Sequence, residues 1–113
     1  MPNYFHTINS PRPQALELPV GKVVCVGRNY AEHARELNNA IPTEPVLFIK
    51  PATALARLEE PVSIPLDYGA CHFETEMAVL IGERLSRSSE RQASSAIAGI
   101  GVALDLTLRD LQS

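Results

Sequence analysis

The apolar run from Ile97 to Leu106 constrains the fold more than any other segment of this chain. It carries small residues, Gly99 and Gly101, and one charge, Asp105. An unbroken apolar run of this length reads as a strand in the interior of a sheet. A second stretch, Glu74 to Ile81, alternates strongly and reads as another strand. Shorter runs add two more. Lys22-Val-Val-Cys-Val26 is β-branched and ends at Gly27, and Val46-Leu-Phe-Ile49 lies between Pro45 and Lys50-Pro51.

Helices are inserted between these strands. Asn29 is a good N-cap with Glu32 three residues on, as in a capping box. Tyr30, Ala34 and Leu37 then recur at helical spacing until Asn38-Asn39 and Pro42 end the helix. Ser88 or Ser89 caps a short helix running to about Ala96, after a turn over Gly82 to Arg87. Thr107, with Asp110 three residues on, predicts the start of a further helix. That helix is only a turn long when the chain stops at Ser113. Residues 1–20 contain four prolines and read as an extended lead-in with short edge strands. The stretch from Ala52 to Tyr68 reads as loops with a short strand near Val62–Ile64. The fold class expected is α+β and β-rich.

Composition narrows the function. The 113 residues are enough for one small domain, and 45% hydrophobic with 20% charged residues fits a globular protein. A net charge of −3 and no basic run argue against nucleic acid or an anionic membrane as partner. The N-terminus lacks a basic, then apolar, secretory pattern, and no apolar run has the length of a transmembrane helix. Cys25 and Cys71 form no CxxC pair, Cys25 reads as a buried thiol, and a reducing, cytoplasmic compartment is expected.

The acids carry the chemistry. Residues i and i+2 of a strand share a face, so Glu74 and Glu76 project together. Paired carboxylates repel unless a positive charge lies between them, and a hard divalent cation takes oxygen ligands. Asp105, inside an apolar run, is costly unless partnered, and one shared ion would account for all three acids. The alternative is a solvated edge-strand face, with Asp105 capping the next turn. No pair of histidines has zinc-ligand spacing. His33 and Glu36, three apart on the expected helix, are neighbours. A carboxylate beside an imidazole raises its basicity, which suits a general base, although an ordinary surface pair has the same spacing. His72 is read as an outer neighbour of the acids or as merely exposed.

Four ordered motifs give the chain a resemblance. They are Gly21-Lys22 with Cys25-Val-Gly-Arg-Asn-Tyr-Ala-Glu-His33, then Pro45-Val-Leu-Phe-Ile-Lys-Pro51, then His72-Phe-Glu-Thr-Glu76, and last Ala103-Leu-Asp-Leu-Thr-Leu-Arg-Asp-Leu-Gln112. From about residue 20 onward the chain resembles the fumarylacetoacetate hydrolase family, in its acylpyruvate hydrolase and oxaloacetate decarboxylase branch. The resemblance implies a mixed, rolled sheet, of which residues 21–113 would be the N-terminal half. The remainder would supply a substrate-contacting lysine and a loop that closes the pocket. It implies Mg²⁺ or Mn²⁺ on Glu74, Glu76 and Asp105, and a water-activating pair in His33 and Glu36. Gln112 would contact substrate. Arg28, Tyr30, Lys50 and Arg109 would lie close to the active site, in substrate-binding or structural roles.

The expected activity is hydrolysis of a carbon–carbon bond in an acylpyruvate-type 2-oxo acid. Decarboxylation of oxaloacetate and isomerisation of a dicarboxylic 2-oxo acid are alternatives, and a homodimer is the expected assembly of the full-length protein. Two readings of another class remain: a non-catalytic fragment or strand-pairing module, and a metal-free structural β domain.

Overall fold

In the computed structural model, the structure describes residues 6–9, 11–27 and 44–112. The chain is strand-rich. In order come β1 (Thr7–Ile8), β2 (Gln14–Ala15), β3 (Val23–Gly27), β4 (Val46–Lys50), β5 (Cys71–Ile81), α1 (Glu90–Ser95) and β6 (Ile97–Leu108). The described strands form three separate antiparallel pairs, β1 with β2, β3 with β4 and β5 with β6. The expected mixed sheet is therefore not seen among the described residues. For the same reason β6 is not an interior strand there, since β5 is its only neighbour.

The β5–β6 pair is the largest element. Its ladder runs from Cys71 opposite Leu108 to Ile81 opposite Ile97, with a register shift at Leu80/Ile81. Ala98 is the extra residue at that shift, and a Cβ on Gly82 would lie 2.9 Å from the Ala98 Cβ. Glycine at 82 lets the strand ends approach closely. Helix α1 bridges the two strands. Ser89 caps it as expected, in a full capping box: its side chain accepts from the Gln92 N–H, and Gln92 reaches back to the Ser89 N–H. Ala96, just past the helix, is 2% exposed and is the one buried hydrophobic residue among those described. The Cα radius of gyration is 16.0 Å, against about 13 Å for a compact chain of this length.

Two expectations fail for identifiable reasons. Thr107 starts no helix. It pairs with His72 in the ladder, which carries β6 on to Leu108, and a turn follows over Arg109–Leu111. Ladder bonds along β5, which begins at Cys71 rather than Glu74, outcompete a local cap. Val62–Ile64 forms no strand either, and the regular structure there is two 3₁₀ turns, Ala52–Ala54 and Leu66–Tyr68. Pro61 and Pro65 bracket the segment and remove N–H donors a ladder would need. The helix expected after Asn29 lies outside the described residues. No described helix is long and apolar enough to cross a membrane.

Candidate functional site

One face of the β5–β6 pair gathers the acids. Glu74 stands directly opposite Asp105 in the ladder, so both side chains leave the same face. Glu76, two residues on and opposite Ala103, shares it. All three are half-buried. Beyond Glu76 this face carries the small residues Ala78, Ala103, Gly99 and Gly101, with Leu80 the one large side chain among them. Small residues let other segments come close, and Ile8 of β1 lies against Gly99.

Two cations reach this face from its margins. Lys50, the last residue of β4, donates from Nζ to Asp105 Oδ1 and to the Leu106 carbonyl at 3.4 Å. It thereby ties the β3–β4 pair to β6. Arg109, the first residue after β6, donates from Nη2 to Glu74 Oε1 at 2.7 Å and from Nη1 to Gln112 Oε1 at 2.8 Å. Among the described residues, Asp105 and Glu74 are thus each paired with one of these cations. Cys25 of β3 completes the neighbourhood as a half-buried free thiol. Burial first, then the negative charge of Asp105, raises its pKa above the ordinary thiol value; Lys50 opposes this and Glu76 adds to it.

The expected site residues are thus brought together only in part. Lys50, Glu74, Glu76, Asp105 and Arg109 share one region, with Gln112 attached through Arg109. Arg28, Tyr30, His33 and Glu36 lie outside the described residues. His72 is exposed. Spacing alone gave no sign that Lys50 pairs with Asp105 or Arg109 with Glu74, since those partners are 55 and 35 residues apart. Cys25 was not among the candidates, and its only signal was a place on the strand paired with the one that carries Lys50.

The donor set suits a hard divalent ion, being all oxygen and half-buried on adjacent strands. Among the described residues, however, no three His, Cys, Asp or Glu side chains converge as a metal-binding group. Glu74 and Asp105 instead each give one oxygen to a protein cation.

Comparison with known proteins gives consistent matches. The family model described as fumarylacetoacetate (FAA) hydrolase C-terminal matches residues 22–113. Oxaloacetate tautomerase YcgM of Escherichia coli (strain K12) is 60% identical over 97 residues, covering 86% of this chain and 44% of that protein. The mitochondrial oxaloacetate tautomerase FAHD1 of Bos taurus is 49% identical over 90 residues, covering 80% of this chain and 41% of the relative. A crystal structure described as a fumarylacetoacetate hydrolase family protein from Yersinia pestis CO92 superposes with a TM-score of 0.88 at 56% identity. It covers 96% of this chain and 49% of its own. The chain therefore spans less than half the length of these relatives.

Proposed function

The chain belongs to the fumarylacetoacetate hydrolase family, and on that premise we propose that the protein is a divalent-metal-dependent enzyme that moves a proton in a small dicarboxylic 2-oxo acid of the oxaloacetate type. The observation that carries this reading is the shared, half-buried face holding Glu74, Glu76 and Asp105. The names of the relatives support the substrate class and the isomerase chemistry. Glu74, Glu76 and Asp105 would hold Mg²⁺ or Mn²⁺, which when bound supplies Lewis-acid polarisation of the keto group.

The chain's own residues do the rest. His33, oriented by Glu36, takes a proton from the carbon next to the keto group. The electron pair of that C–H bond forms the new C=C bond, and the C=O π electrons move onto oxygen. The same imidazolium then returns its proton to that oxygen, giving the enol, and the reverse path restores the ketone. Arg28, Tyr30, Arg109 and Gln112 are the candidates for orienting the substrate's carboxylates. A second reading is hydrolysis of an acylpyruvate, in which His33 deprotonates water for attack on the distal carbonyl. The spacing of His33 and Glu36, three apart in the sequence, favours it, because a base for water is needed in that reaction and not in decarboxylation.

The test follows the enol absorbance of oxaloacetate with purified protein, with and without Mg²⁺, beside an acylpyruvate cleavage assay. Metal-dependent equilibration of keto and enol forms that Glu76→Gln abolishes is expected. Equilibration no faster than the buffer rate, or activity that survives both metal removal and Glu76→Gln, overturns the reading.

A further inference from the structure

Lys50 has more to do at this site than its sequence position suggests. Its ammonium carries three donors, and two are already engaged within the protein, on Asp105 Oδ1 and on the Leu106 carbonyl. The lysine is one-third exposed and the aspartate less than one-fifth, at 33% and 18%. A lysine that serves mainly to grip a substrate keeps its donors directed into open space. This one spans two sheets that share no backbone ladder and ends on the acid whose position in an apolar strand most needs a partner.

We propose that Lys50 is the positioning residue of Asp105: it fixes the carboxylate by Oδ1, leaves Oδ2 outside that pair, and so sets the affinity of the acid face for a divalent ion. This rests on the metal-site reading given above. The physical reasoning is that of any outer partner of a metal ligand. A carboxylate held by one oxygen loses its rotational freedom before the ion arrives, so less ordering remains to be done on binding. The longer contact from Nζ to the Leu106 carbonyl, at 3.4 Å, points the same way, since it sets the ammonium against the backbone next to Asp105. Arg109 holds Glu74 in a parallel way, with Gln112 bracing the guanidinium. The two ligand strands are thus each braced by a cation from outside the acid face.

The test is Mn²⁺ binding to the purified protein by calorimetry, alongside thermal melting. Lys50→Met should weaken Mn²⁺ binding by roughly 10–100-fold, the usual cost of losing an outer partner. Lys50→Arg should restore most of it, because it keeps a cationic donor for Oδ1. Should the methionine variant fail to fold, Lys50→Gln takes its place: it keeps a neutral donor but not the charge, and a measurable weakening of Mn²⁺ binding relative to wild type is expected. Mn²⁺ affinity unchanged or tighter in whichever uncharged variant folds, with only the KM for oxaloacetate rising, overturns the proposal and makes Lys50 a substrate contact. Glu76→Gln separates this from failure of the site itself. A wild-type protein that binds no Mn²⁺ sinks both readings. Wild-type binding that Glu76→Gln removes and Lys50→Met leaves intact sinks only the role of Lys50.

Discussion

The two faces of the β5–β6 pair differ in a way that ordinary half-buried sheets do not. An antiparallel sheet usually buries its apolar side and turns its charges to water. Here Glu74, Glu76 and Asp105 lie on the more covered face, and the opposite face carries Phe73, Met77, Val79, Ile100, Val102 and Leu104, all exposed. Phe73, Met77 and Ile100 each keep more than two-thirds of their surface open, at 68%, 69% and 68%. The β3–β4 pair repeats the pattern. Val24, Val26, Leu47 and Ile49 are exposed on one side; on the other Cys25 and Lys50 are half-buried, while Val46 and Phe48 beside them stay exposed at 41% each. In the β5–β6 pair the side that carries the acids is the more covered one. That arrangement has a stability cost which only a partnered or ligand-binding set of acids offsets.

If that contrast is functional, substitutions on the two faces must separate cleanly. The largest effect is expected from Glu76→Gln, which should weaken Mg²⁺ binding by more than the roughly 10–100-fold caused by loss of an outer partner; calorimetry reads it. By contrast, Ile100→Glu on the apolar face should leave Mg²⁺ affinity within about twofold, because the added carboxylate is solvated on the opposite side of the sheet and cannot reach the ion, leaving only a weak through-water field. A larger change from Ile100→Glu would mean that the faces are not independent.

Stability effects come next. Gly69 has a φ of 80° after the second 3₁₀ turn, and an added Cβ would collide with the Asp110 carboxylate. Gly69→Ala should cost about 1–3 kcal/mol, seen as a lowered Tm, chiefly from the positive φ, since the exposed Asp110 carboxylate can swing aside. Arg109→Met removes a half-exposed ion pair with Glu74 and should cost no more than about 1 kcal/mol in chemical denaturation.

The smallest effect concerns pH. The Cys25 thiol holds its proton more tightly in the folded chain than in the unfolded one, through burial and then Asp105. Its contribution to stability is complete below the ordinary thiol pKa and is lost as pH rises through the raised value. Wild type should therefore lose stability relative to Cys25→Ser on the alkaline side only, and parallel curves for the two proteins would refute this.

The same contrast shows what the sequence carried and what it did not. Strands β3, β4, β5 and β6 and the Ser89 cap were legible because each is written in local pattern: β-branched runs, alternation, and a capping box. The shared face of Glu74 and Glu76 was legible too, since strand geometry alone requires it. The extension of β6 through Thr107 was not, because it depends on where β5 begins. Lys50 on Asp105 and Arg109 on Glu74 were hidden for a similar reason. They are contacts between distant segments: the family resemblance puts both basic residues near the active site, but no local pattern tells which acid each will meet. The exposed apolar face of β5–β6 was equally invisible, because alternation fixes which residues share a face but not which face is covered.

The most direct measurement is a crystal structure of the protein soaked in Mn²⁺, with anomalous differences collected to locate the ion. The expected peak lies among the carboxylates of Glu74, Glu76 and Asp105, with Lys50 still on Asp105 and Arg109 still on Glu74. No peak there, or an ion bound elsewhere while both cations keep the acids to themselves, would contradict the assignment of this face as a metal centre.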